Sequence, residues 1–262
     1  MTSHHKARLW IAGARPRTLP AAIAPVLVGT AIRLPDGASI IWLNAIFAMI
    51  VSVALQVGVN YANDYSDGIK GTDEVRVGPL RLVGSKSFSP SAVKRAAMLA
   101  FLLAAIAGLA LAARTSWWLL LVGLVAIIAA WFYTGGKNPY GYRGLGEISV
   151  FIFFGLVATG GSYFVQAKTI NSITVLMGIA MGSLSCALLA VNNLRDLPKD
   201  ALVGKRTLAV RLGDVRALMA ALPPLRAVRE GATGKDLIPV LGATGKVQLI
   251  VSALSTAFFI FY

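Results

Sequence analysis

Charge is what this chain has least of. Asp, Glu, Lys and Arg together make up 14% of its 262 residues, against about 25% in ordinary soluble domains. A water-soluble fold of this length needs more polar surface than that. Acidic residues are scarcer still, 11 against 25 Lys and Arg, for a net charge of +14. A single cysteine, Cys186, rules out a disulfide framework. It stands in an apolar run and is expected to be a small buried residue. The basic excess raises nucleic acid as a partner, but no basic run is interleaved with aromatics in a soluble module, which excludes that class. A removable signal peptide is not expected either. The first apolar run carries Pro20 and Pro25 and lacks a small-residue cleavage signature.

Apolar sequence is abundant, at 56%. It comes in blocks of about 20 residues, the length that crosses a bilayer's hydrocarbon core. These blocks are 40–61, 96–113, 116–133, 148–167 and 172–192, with weaker ones at 19–32 and 247–262. Basic residues collect in alternate connections: before Leu19, between Lys70 and Arg95, around Lys137 and Arg143, and from Arg195 to Arg216. The intervening connections carry almost none. That alternation predicts a cytoplasmic N-terminus. Residues 218–225 are apolar but too short to cross, Pro223 and Pro224 would end a helix, and the basic stretch 226–246 is expected to stay cytoplasmic. The chain is therefore expected to be an all-α, polytopic transmembrane helix bundle with about seven spans, lying in the lipid bilayer of the cell membrane. It forms one domain, 1–262, built of two pseudo-repeated units, roughly 1–140 and 141–262.

The repeat rests on two polar motifs. The second and sixth spans both run inward, and each ends in Asn and Asp: Asn60-Tyr-Ala-Asn-Asp-Tyr-Ser-Asp67 and Asn192-Asn-Leu-Arg-Asp-Leu-Pro-Lys-Asp200. Asn60, Asp64 and Asp67 are spaced i, i+4, i+7, and Asn192, Asp196 and Asp200 i, i+4, i+8, so each set shares a helix face. Four carboxylates gathered at the mouth of a membrane cavity repel one another unless protons or a cation neutralise them. Hard divalent cations prefer oxygen, and Mg²⁺ binds through one or two carboxylates plus substrate phosphates. Two such clusters facing each other would hold a diphosphate between bridging metal ions. Arg76, Arg81 and Lys86 after the first motif, and Lys205, Arg206 and Arg211 after the second, could grip its oxygens; taken singly, each is equally an ordinary loop charge.

These residues resemble a known family. The segment from Asn60 to Asp73 is similar to the first Asp-rich motif of the UbiA superfamily of intramembrane prenyltransferases. Asp196-Leu-Pro-Lys-Asp200 is similar to its second, and Tyr133-Thr-Gly-Gly-Lys137 to the Tyr-x-x-x-Lys pattern between them. Within the superfamily the likeness is to the 1,4-dihydroxy-2-naphthoate polyprenyltransferases of menaquinone synthesis. Ala14 to Leu19, Gly78 to Ser85, Tyr133 to Glu147, and Asn192 to Asp196 with Gly204 to Asp214 carry that finer resemblance. It implies Mg²⁺ on Asp64, Asp67, Asp196 and Asp200, with Asp73 as a further ligand, and a polyprenyl diphosphate bound there with help from Asn60, Asn63, Asn192 and Asn193. It implies a dihydroxynaphthoate that attacks the allylic cation and loses CO₂ to give demethylmenaquinol. Tyr133 would support the cation through its ring face, unless it is only an interfacial anchor; Arg17 and Lys137 would hold the acceptor's carboxylate.

Two departures from the family stand out. The position four after Asp67 is Gly71, with Asp73 two further on. Family members have nine spans, and one helical hairpin is missing here near residues 217–226. Two other readings compete: transfer to another aromatic acceptor such as 4-hydroxybenzoate, and an ion or solute transporter. Transporters place acids near the bilayer midplane on broken helices, whereas these acids stand at helix ends beside basic loops.

Overall fold

The computed structural model describes residues 2–72, 80–212 and 234–261. Among them every regular element is helical. The chain opens with α1, Ser3–Ala14, which a left-handed Arg15 (φ 55°) terminates. A short 3₁₀ turn, Pro16–Thr18, leads into α2, Pro20–Ala31. Pro20 stands in the first helical turn, where its missing N–H costs nothing. Pro25 lies inside the helix, and nearby Ser52 Oγ donates to the carbonyl of Ala22 at 2.8 Å. Most of α2 is small and buried, which lets α3, α7, α8 and the last helix close around it.

Those helices are α3 (Trp42–Ile69), α4 (Pro90–Arg114), α5 (Trp118–Phe132), α6 (Gly146–Val150), α7 (Ala158–Ala167), α8 (Ser172–Leu202), α9 (Leu208–Leu212) and α10 (Leu237–Phe261). Ser89 caps α4 by accepting from Ala92 N, and Asn171 caps α8 by accepting from Thr174 N. A π-helical turn, Phe151–Val157, joins α6 to α7, making one rod, Gly146–Ala167. Five helices, α3, α4, this rod, α8 and α10, are long and apolar enough to cross a membrane, and α2 and α5 are shorter apolar helices. Their outward Leu, Ile and Val side chains are exposed, as an integral membrane protein requires.

Packing follows from small residues. α3 and α4 run antiparallel, with Ala62, Ala97 and Phe101 in one cluster and Ala48 and Leu111 in another. The π-turn crosses α8 at glycines: a Cβ on Gly155 would stand 2.5 Å from Gly182 Cα and 2.6 Å from Gly178 O. Only backbones without side chains approach so closely.

The apolar blocks end at Tyr61 and Asn192, but the helices run on through the acidic motifs, as the shared-face spacing expects, to Ile69 and Leu202. The last helix begins at Leu237, ten residues before the expected span. Lys246 is exposed on that helix, where its long apolar stem keeps the charge outside the packing. The hairpin expected to be missing near 217–226 lies outside the described residues.

Candidate active site

At one end of the bundle, the motif-bearing ends of α3 and α8 meet. Lys205, on the loop after α8, joins them: its Nζ is 3.2 Å from Asp67 Oδ2 and 3.9 Å from Asp200 Oδ1. Asp67 also accepts from the Tyr142 hydroxyl at 2.5 Å and lies 3.6 Å from the Arg81 guanidinium. Asp196 is held differently. Arg195 forks onto both its oxygens, Nε at 2.8 Å and Nη2 at 2.6 Å, a charge-assisted pair. Asp67, Arg81, Tyr142, Asp196, Asp200 and Lys205 form the mouth of a cavity of about 480 Å³ that Asn60, Asn63, Asn192, Asn193 and Lys199 also line. Further in, Val51, Leu55, Leu119, Phe153 and Val157 make its walls apolar.

Not every expected residue faces this space. Asp64 is fully buried and absent from the cavity lining. Its two oxygens accept the backbone N–H groups of Leu82 (2.8 Å) and Val83 (3.0 Å). It fastens the loop that carries Arg81 to Asp67. Arg17 is exposed on its 3₁₀ turn; Arg15, two residues earlier, lines the cavity instead. Lys137 and Arg206 are exposed and line a separate recess with Arg143 and Arg211, and Lys86 is exposed with φ 58°. Glycine-permitted turns at Gly136 (φ 76°) and Gly144 (φ 74°) bracket the stretch in which Tyr140, Gly141 and Tyr142 line the cavity while Lys137 lines the outer recess. Asp73 and Arg76 lie outside the described residues.

The remaining expectations converge. Asn60 Nδ2 donates to Ala14 O (2.8 Å) and Thr18 Oγ1 (3.2 Å), fixing the turn before α2. Asn63 Oδ1 accepts from Thr134 Oγ1 at 2.7 Å. Tyr133 lines the cavity, in a slot opened by Gly141 and Gly146, whose Cβ positions would come within 2.6 Å of its carbonyl oxygen and 2.8 Å of its hydroxyl.

Four site residues lie beyond the sequence reading: Tyr142, Lys70, Arg15 and Glu147. Lys70 Nζ donates to Thr134 O at 2.6 Å. It stands 4.9 Å from the Tyr142 ring centroid, which Lys205 Nζ approaches to 4.7 Å. Burial lowers the Lys70 pKa; Asp67 opposes the shift and Lys205 adds to it. Tyr142 lies in the segment Tyr133–Glu147 that carried the family likeness, but no spacing rule singles it out.

The donor set fits a metal delivered with phosphate rather than one caged by protein alone. Asp67, Asp196, Asp200 and amide oxygens share one cavity, yet among the described residues no three His, Cys, Asp or Glu close in on a common point. Mg²⁺ sites completed by substrate phosphates have this sparse character.

Comparison with known proteins bears on the whole arrangement. The family model for the UbiA prenyltransferase family matches residues 22–262. A Mycobacterium tuberculosis protein named 1,4-dihydroxy-2-naphthoate octaprenyltransferase is 48% identical over 279 aligned positions, covering 95% of each chain. The alignment is longer than this chain, so that relative carries residues this one lacks. An Escherichia coli protein of the same name is 42% identical over 219 positions, 81% of this chain and 71% of that one. Among solved structures, a UbiA homolog from Archaeoglobus fulgidus bound to DMAPP and Mg²⁺ superposes with a TM-score of 0.66 over 96% of both chains at 14% identity. Two Asp-bearing helix ends facing each other over a membrane cavity, and a family match running from α2 to the last residue, lead to one conclusion: the chain belongs to the UbiA prenyltransferase family.

Proposed function

We propose that the protein transfers a polyprenyl group from polyprenyl diphosphate to 1,4-dihydroxy-2-naphthoate, in a Mg²⁺-dependent reaction that releases CO₂ and gives demethylmenaquinol. The observation that carries the reading is the Lys205 ammonium touching both Asp67 and Asp200 at the mouth of an apolar cavity. Phosphate needs cations and metal-binding carboxylates at the mouth; an isoprenoid tail needs the apolar walls behind them. Both sit in one space. The relatives' names supply the acceptor.

Mg²⁺, held by Asp67, Asp196 and Asp200, would neutralise charge on the departing diphosphate. Lys205 and Arg81 stabilise the same oxygens from the protein side. The half-buried Tyr133 ring faces the allylic cation, and the apolar wall keeps water from it. The ring carbon bearing the carboxylate attacks C1 of the prenyl group. Loss of that carboxylate as CO₂ returns its bonding electrons to the ring and restores aromaticity. Following the Lys and Arg distribution, the N-terminus and cavity mouth face the cytoplasm of the cell membrane.

The test incubates purified protein in lipid with polyprenyl diphosphate and dihydroxynaphthoate, with Mg²⁺ or with EDTA. A prenylated quinol that forms only with metal supports the reading. Ion flux without product points to a transporter, and product only from 4-hydroxybenzoate reassigns the acceptor.

A further inference from the structure

Glu147 stands one layer behind the cavity. It lies in the first turn of α6 and does not line the space. Its Oε1, however, accepts from Nδ2 of Asn193 at 3.0 Å, and Asn193 does line it. Its main-chain carbonyl accepts from Cys186 Sγ at 3.2 Å, so α6 is pinned to α8 at two points. Its Oε2 is sealed from solvent and accepts no hydrogen bond from the described residues. A buried carboxyl with one oxygen unsatisfied costs free energy that an apolar side chain would not. Packing alone does not call for it.

Glu147 supplies direction. An amide presents a donor end and an acceptor end. With Nδ2 turned to Glu147, Asn193 keeps its carbonyl oxygen for the cavity. That oxygen repels phosphate and accepts from a hydroxyl. Glu147 follows Gly146, whose Cβ position would stand 2.8 Å from the Tyr133 hydroxyl, and Tyr133 and Asn193 line the same cavity, whereas Arg81 and Lys205 gather at Asp67. We propose that Glu147 is a positioning residue for the aromatic acceptor: it fixes Asn193 so that the amide carbonyl receives a hydroxyl of a dihydroxyaryl carboxylate. The inference rests on the proposed prenyl transfer.

The experiment measures kcat and both KM values in a double-mutant cycle on the full chain in lipid. Glu147→Leu raises the acceptor KM about tenfold and leaves the diphosphate KM within about twofold; Asn193→Ala does the same, and the double variant is no worse than Asn193→Ala alone. Multiplying losses, or a rise confined to the diphosphate KM, would overturn the proposal. Should Glu147→Leu fail to fold, an exchanged pair decides. Asn193→Asp sets two carboxylates against each other and weakens acceptor binding; adding Glu147→Gln restores a donor opposite an acceptor and recovers it. No recovery refutes the assignment. Absence of product from the unmodified protein strikes at the proposed reaction instead, so the two failures are distinguishable.

Discussion

Lys205 Nζ lies 3.2 Å from Asp67 Oδ2, across 138 residues of sequence. One ammonium thereby ties the first acidic motif to the second, since Asp200 is 3.9 Å away on its other side. A divalent cation competes for the same oxygens. Replacing Lys205 with Met leaves Asp67 and Asp200 without that charge, so Mg²⁺ gains a stronger claim on them. Thermal melts should show a larger Mg²⁺-induced stabilisation in Lys205→Met than in the parent protein. Its KM for prenyl diphosphate should rise about tenfold or more, because a charge-assisted phosphate contact is gone. Equal Mg²⁺ shifts in the two proteins would count against a shared cation position.

Asp64 and Asp67 stand three residues apart with different roles. Asp67→Asn should cut turnover by about 100-fold or more, and should also lower the melting temperature, because Arg81 and Lys205 lose their buried carboxylate. Asp64→Asn should act mainly on stability: an amide NH₂ faces a backbone N–H where a carboxylate oxygen accepted one, costing about 1–3 kcal/mol. Activity per folded molecule should fall less than in Asp67→Asn. Turnover and melting measured on both variants decide it, and a stable but inactive Asp64→Asn would return that residue to the metal site.

That division shows where sequence reading stopped. Helical periodicity placed Asn60, Asp64 and Asp67 on one face, and one face it is in coarse terms. At 3.6 residues per turn, however, Asp64 and Asp67 point roughly 60° apart, enough for one to meet a loop and the other a cavity. The span pattern and the paired motifs were legible because they repeat along the chain. Tyr142 and Lys70 were not, because their positions exist only once the loop 133–145 folds back on α3. Arg17 was expected in place of Arg15 for a similar reason: a left-handed residue and a 3₁₀ turn redirect the side chains, and no composition rule reports it. Lys137 lies past a positive-φ Gly136, which carries it to the outer recess.

The rod crosses α8 backbone to backbone at Gly155, Gly178 and Gly182. A methyl group on Gly155 would press on the backbone of Gly182 and Gly178, neither of which can yield as a side chain would. Gly155→Ala should destabilise the protein by about 1–3 kcal/mol, and Gly155→Leu should prevent recovery of folded material. Gly161, with nothing within 4 Å of its Cβ position, serves as the control, and Gly161→Ala should melt within about 0.5 kcal/mol of the parent. Similar melting of both alanine variants would remove the close crossing.

Arg15 and Arg17 are separated by one proline and by their surroundings. Arg15 is half-buried and lines the cavity, whereas Arg17 is exposed outside it. Arg15 lines the cavity together with Tyr133, so its charge is available to a carboxylate-bearing acceptor there. Arg15→Ala should therefore raise the KM for dihydroxynaphthoate about tenfold, the loss of one charge-assisted contact, with a smaller effect on prenyl diphosphate. The backbone at φ 55° is already borne by a non-glycine residue, so alanine adds little strain. Arg17→Ala should keep both constants within about twofold, as exposed substitutions ordinarily do. A tenfold acceptor defect in Arg17→Ala and none in Arg15→Ala would reverse the assignment and require the turn before α2 to rearrange when the acceptor binds.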